Sequence, residues 1–244
     1  MRFRLNRQCS RTVNFRWGIT SSGGNLTEII FSTKALSFYE ELRNNRYSQE
    51  KYNESNSIFH EEIKPKMQDL LGQLADVLAL EIPEISFDAD KDLGSPFVHG
   101  HAAKYAWGAI TRLGKTKHTD LQFFVAMRFD YVRFGLYLSQ KNTPGIFSDI
   151  IRAVESNPMG FQSLLDDLEP KGIFLTRKIA NDETGAPQKL AYNRKYVSSA
   201  IIEDTTFNVM TATPLEDIVG VDVFPQIADA FRQLIPMYRF VLDL

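Results

Sequence analysis

The sequence predicts an α+β fold: an N-terminal helical hairpin, a central antiparallel sheet, further short helices and a C-terminal helix. Three observations predict it. Apolar residues recur at helical spacing over residues 33–81. Three stretches rich in aromatic and β-branched residues, 105–113, 121–129 and 132–138, then succeed one another across turn-sized gaps. Helical spacing returns over 145–168 and again from residue 223.

Each element has its own signals. Thr33 is a good N-cap before Ala35, Leu36, Phe38, Tyr39 and Leu42. Asn44-Asn45 breaks that helix, and a second begins near Ser48. Its apolar stripe runs from Tyr52 through Phe59, Ile63, Met67, Leu70, Leu71, Leu74, Val77 and Leu78. Pro65 lies inside this stripe and should kink or split it, because proline has no N–H to give to the preceding turn. Residues 82–103 read as a connector with loop chemistry, including Pro83, Asp88, Gly94, Pro96 and Gly100. The three strand-like stretches form a meander, with Gly114 to Thr119 as its first turn and Asp130-Tyr131 as its second. Residues 145–155 and 161–168 read as two helices divided by Asn157-Pro158. Residues 173–179 and 196–202 read as further strands, joined by a polar hairpin loop over 181–193. The last helix is expected from about Val223 to Leu234, with Pro225 in its first turn and Pro236 ending it.

The expected organisation is an N-terminal strand or hairpin extension over residues 1–30 and one α+β domain over 31–244. Residues 1–25 hold five arginines and no acid, a composition shared with transit peptides. Phe3, Leu5, Val13, Phe15, Trp17 and Ile19 alternate with polar residues, however, which favours a strand. No apolar run approaches the roughly 18–20 residues that span a bilayer, so no membrane partner is expected. A lone cysteine, Cys9, rules out an intrachain disulfide and fits a reducing, cytoplasmic location. The net charge of −2 conceals an alternation. Residues 28–92 carry −7 and residues 99–141 carry +5, so the helical hairpin is acidic and the meander basic.

Catalytic motifs fail in specific ways. There is no Gly-x-Ser-x-Gly elbow for a nucleophile. Ser21-Ser22-Gly23-Gly24-Asn25 lacks the Lys-Ser/Thr ending of a Walker loop, and Rossmann spacing is absent. Asp166-Asp167 and Glu61-Glu62 are adjacent acids on helices and splay apart. His99 and His101 form the one histidine pair at ligand spacing and are the weak metal candidates, with His118 or Asp120 available to complete a set. No cofactor and no catalytic residue is assigned. The binding candidates are Tyr105 and Trp107, two apart on one strand and hence on one face, with Phe123 beside them. The bordering cations are Arg112, Lys115, Lys117 and His118 at the first turn, and Arg128 and Arg133 about the second. Aromatics on a sheet bordered by cations can stack nucleic-acid bases.

Several stretches in order also carry a resemblance. Residues 38–45, Phe-Tyr-Glu-Glu-Leu-Arg-Asn-Asn, are followed by Lys51-Tyr52 and Pro65. Then come Val132 to Leu138, Ile150 to Val154, Asn157-Pro158 with Phe161, and Ala230 to Tyr238. Together they resemble a widespread bacterial domain family of unknown function. Similar modules occur ahead of McrB-type AAA+ GTPases of modification-dependent restriction, where the N-terminal module is the expected DNA-reading part. The family's Arg-x-x-Arg-Asp-x-Arg-Phe stretch is missing, and residues 94–105 stand in its place. The resemblance implies no catalytic residues. It implies nucleic acid as a partner, and a separate AAA+ motor or nuclease subunit as another.

The resulting expectation is a non-catalytic recognition module that binds DNA, modified or not, in a bacterial defence or restriction context. One alternative is a protein-interaction or scaffolding subunit that uses the acidic hairpin or the apolar C-terminus. Another is a hydrolase whose site assembles only in three dimensions.

Overall fold

The computed structural model describes residues 27–90, 93, 97–98, 101–178 and 186–244. The expected N-terminal strand or hairpin lies outside the described residues except for 27–30. Of those, Ile30 bridges to Asp222 and the Ile29 N–H donates to the Asp222 carboxylate at 2.9 Å.

The chain opens with α1 (Thr33–Asn44) and α2 (Gln49–Ile58). Ser32, not Thr33, takes the cap position of α1, and its hydroxyl goes to Glu62 at 3.1 Å instead of to the helix. Ser48 caps α2 by accepting from the Lys51 N–H. Between them Arg46 and Tyr47 both sit at positive φ, 53° and 57°, a two-residue left-handed turn that lets α2 fold back. Pro65 has the expected effect in a particular form. Residues Phe59–Ile63 widen into a π-helical turn, and α3 (Lys64–Glu81) starts with Pro65 in its first turn. The wider turn makes room where proline supplies no donor.

The connector is not all loop. It contains β1 (Phe87–Asp90), which pairs antiparallel with the first meander strand, and a short ribbon of β2 (Phe97–Val98) and β3 (His101–Ala102). Its aspartates and prolines mask a strand that needs only Phe87 and Ala89 facing inward. The meander forms as β4 (Ala106–Arg112), β5 (Gln122–Met127) and β6 (Tyr131–Ser139). Next come α4 (Pro144–Ser156) and α5 (Pro158–Leu168), split where the Asn157 side chain accepts from the Gly160 N–H. β7 (Phe174–Leu175) is shorter than expected and continues as a bridge from Thr176 to Lys189.

Residues 196–202 depart from the strand expected of them. Tyr196 ends a 3-10 turn (Arg194–Tyr196), and the rest form the start of α6 (Val197–Asp204). Val197 and Ile201, four apart, both turn into the core, and this period outweighs the β-branched composition. Residues 206–214, to which the sequence assigns no element, form β8 (Thr206–Pro214), with α7 (Leu215–Ile218) after it. Finally, α8 (Phe224–Leu242) runs through Pro236 instead of ending there. Pro236 is exposed, so the carbonyl it leaves without a donor can meet water, while Met237, Tyr238 and Val241 beyond it are buried. An interior proline costs about 3 kcal/mol. Burying three large apolar side chains at roughly 1.5–3 kcal/mol each exceeds that.

The sheet is six-stranded and antiparallel, in the order β1-β4-β5-β6-β8-β7. One face carries Ile110, Phe123, Val125, Phe134, Leu136, Phe207 and Val209 into a core shared with the helices. Leu71 of α3 sits so close over Gly108 that a Cβ there would lie 2.3 Å from Leu71 Cδ1. Phe123 packs on Phe231 and Tyr238 of α8, with ring centres 5.0 and 4.9 Å away. Among the described residues, no helix is long and apolar enough to cross a membrane.

Candidate functional site

Side chains of a strand alternate between its faces, and the pairing register decides which ones meet. Trp107 lies opposite Ala126 and Phe124 opposite Gly135; on the next pair, Gly135 faces Met210 and Tyr137 faces Asn208. These residues all occupy the face turned away from the main core. Phe124, Ala126 and Met210 form a second apolar cluster there, with Trp107 and Tyr137 packed on it, and among the described residues it contains strand side chains alone.

The centre of this cluster is aromatic. The Trp107 indole stacks on Phe124, with centroids 4.3 Å apart and planes within 3°. Tyr137 meets Trp107 edge-on at 5.1 Å, and Tyr105 does so at 6.0 Å from the outer side. Tyr105 is 37% exposed; Trp107 and Tyr137 are half-buried. The indole N–H donates to Gln122 Oε1 at 2.9 Å, and Gln122 Nε2 donates to the Lys117 carbonyl, which fixes the ring plane. The expected neighbour, Phe123, is on the core face. The pleat puts odd-numbered β5 residues under the helices, so Phe124 is the residue that joins Trp107.

The structure places the named cations in three different settings. Lys115 and His118 are exposed on the β4–β5 turn. Arg112 and Lys117 from the same turn are tied to carboxylates. Asp120 accepts from the Arg112 backbone N–H and from its Nε, both at 3.0 Å, and Lys117 Nζ is 2.8 Å from Asp90. At the opposite end of these strands, Arg128 and Arg133 are 4% and 2% exposed. Arg128 Nε is 3.5 Å from Asp130, and its guanidinium lies over the Phe129 ring, which Arg43 of α1 covers at 4.3 Å. The expected basic rim is therefore two exposed groups at one turn and a buried arginine pair at the other.

Of the metal candidates, His101 is exposed on β3, and His99 lies outside the described residues. Among the described residues, no group of three or more His, Cys, Asp or Glu is placed to hold a metal ion.

Sequence reasoning missed Phe124, Tyr137, Met210 and Asn208. Asn208 is 1% exposed, and neither its Oδ1 nor its Nδ2 has a hydrogen-bond partner among the described residues. Burial also pushes the Tyr137 phenol above its ordinary range, so it stays neutral and can both donate and accept. The alternation of Phe207 and Val209 with Asn208 and Met210 is the signal that could have found β8, and with it this row.

No family model matches the chain, and no curated protein matches it either.

Proposed function

We propose that this chain is a non-catalytic recognition module that binds nucleic acid across the second face of its sheet. The observation that carries the reading is the Tyr105–Trp107–Tyr137 surface, partly exposed and built on a rigid stack with Phe124. Rigid aromatic faces on a sheet accept bases at little conformational cost, and their flanking cations meet the backbone. Lys115 and His118 supply exposed polar contacts at one end of the meander. The order of motifs shared with the modules ahead of McrB-type GTPases supports a defence or restriction setting, with a motor or nuclease on a separate chain.

The test is a binding titration against duplex and single-stranded DNA and RNA at increasing salt. Expected is an affinity that falls as salt rises, because cation contacts release counterions. Tyr105→Ala and Lys115→Ala should each weaken it while the fold persists. Absence of binding to every nucleic acid at low salt overturns the proposal. Arg112, Lys117 and Arg128 are each engaged by a carboxylate within the chain, so the cation contacts of this reading rest on the exposed Lys115 and His118.

A further inference from the structure

We infer that the aromatic surface takes single-stranded nucleic acid in preference to duplex, held by stacking of unpaired bases more than by charge. This rests on the nucleic-acid reading proposed above and deepens it by naming the class of strand the surface accepts.

The Trp107 indole sets the geometry. Its plane lies within 3° of the Phe124 ring at 4.3 Å, and Phe124 is wholly shielded from solvent. One indole face is therefore spent on Phe124, and what the half-buried Trp107 still shows to solvent lies away from that ring. The indole N–H is spent as well, on Gln122 at 2.9 Å, and Gln122 is held in turn by the Lys117 carbonyl. A ring so fixed has a π-face to offer and no further hydrogen bond, so it stacks a base without reading its edge. Tyr105, the most exposed ring of the group at 37%, stands edge-on to it at 6.0 Å. Bases inside a duplex have both faces occupied by their neighbours. An unpaired base can be splayed out and present a face to these rings.

The charges point the same way. The hydrogen-bond chain from Trp107 through Gln122 to the Lys117 carbonyl puts the β4–β5 turn beside the rings. Lys115 and His118 are exposed on that turn, whereas Lys117 is held by Asp90 at 2.8 Å and Arg112 by Asp120. A duplex binder meets many phosphates with many cations and loses affinity steeply as salt rises. This turn supplies one phosphate contact from Lys115 and at most a second from His118. The logarithm of the affinity should therefore fall against the logarithm of salt with a slope of about −0.7 to −1.4, the value for one or two phosphates of a single strand. Most of the binding then comes from the rings.

The test uses the whole chain carrying Trp17→Phe, which leaves Trp107 as its one tryptophan. It is titrated with mixed-sequence DNA and RNA strands of about ten nucleotides, each alone and as its blunt duplex. Expected is quenching of Trp107 fluorescence by a single strand, with an affinity at least tenfold above that for its duplex and with the shallow salt slope. Tyr105→Ala should weaken single-strand binding at least fivefold, and more than Tyr105→Phe does, because phenylalanine keeps the ring. A folded Tyr105→Ala variant that binds single strands unchanged overturns the inference. A salt slope of about −2 or steeper means three or more phosphates and overturns it too. Duplex binding as tight as single-strand binding overturns the inference and leaves the proposed function standing, whereas no binding of either form overturns both, so the two failures are distinct.

Discussion

Asp120 and Arg112 close the first turn of the meander on itself. The Asp120 carboxylate is wholly shielded from solvent and accepts the Arg112 backbone N–H together with Nε and Nη2 of its guanidinium. A buried carboxylate is tolerable only with such a set of donors. Arg112 is therefore part of the fold before it is part of any surface. Arg112→Ala strips two of the donors from a charge that cannot reach water. Expected is a loss of about 3–5 kcal/mol in urea denaturation, with Asp120→Asn less damaging because it removes the charge. A surface role for Arg112 predicts instead an unchanged unfolding midpoint.

Gly135 is needed where β6 meets β8. A Cβ there would lie 2.2 Å from the Val209 carbonyl oxygen and 2.6 Å from Met210 Cα, both backbone atoms that cannot step aside. Gly135→Ala should separate the two strands, and a loss on the order of 3 kcal/mol or more is expected, as for severe overpacking. Hydrogen exchange should localise the damage to 131–139 and 206–214. By contrast, Gly145 has nothing within 4 Å of such a Cβ, so Gly145→Ala is the matching control.

Two tyrosines give the stability a pH dependence. Burial pushes the phenols of Tyr39 and Tyr238 far above the ordinary value of 10.0, with the nearby Asp120 charge adding to the effect at Tyr238. Both stay neutral in the folded chain and ionise on unfolding. Their contribution is complete below pH 10 and is lost as pH rises above it. Absorbance titration should show these phenols silent while exposed tyrosines ionise, then appearing together with unfolding. Tyr238→Phe should be close to neutral in stability at pH 7, because the Tyr238 hydroxyl has no hydrogen-bond partner among the described residues. It should also push alkaline unfolding to higher pH.

Pro236 is an interior helix proline held in place by the buried Met237, Tyr238 and Val241. Pro236→Ala restores a donor on the exposed side of α8 and should stabilise the chain by on the order of 1–3 kcal/mol. Thermal melting decides this, and a destabilised variant would mean the proline ring itself makes a needed contact.

Much of this architecture is legible in the sequence. Ser48, Asn157 and the apolar spacing of 52–78 place the helices, since capping and helical period are local properties of the chain. The meander is equally clear, because β-rich stretches separated by Gly114–Thr119 and Asp130-Tyr131 leave little choice of neighbour. Expectation and structure part where a local signal meets a tertiary demand. Residues 196–202 have strand-like composition, but the core needs Val197 and Ile201 on one helical side. Pro236 is a stop signal overridden by burial of Tyr238. β1 hides among aspartates because only one of its faces is covered.

The candidate surface divides in the same way. That residues 105–137 are rich in aromatic rings and cations, with Tyr105 and Trp107 on one face, follows from composition and period alone, since strands alternate whatever surrounds them. Which of those groups meet is a question of register. Register selects Phe124 over Phe123 as the partner of Trp107, brings Asn208 from far along the chain to lie beside Tyr137, and turns Arg112 and Lys117 toward Asp120 and Asp90. Hydrogen bonds between distant strands and the solvation of charges set those pairings. Neither is encoded in any short stretch of sequence, because both depend on what the rest of the chain excludes from water.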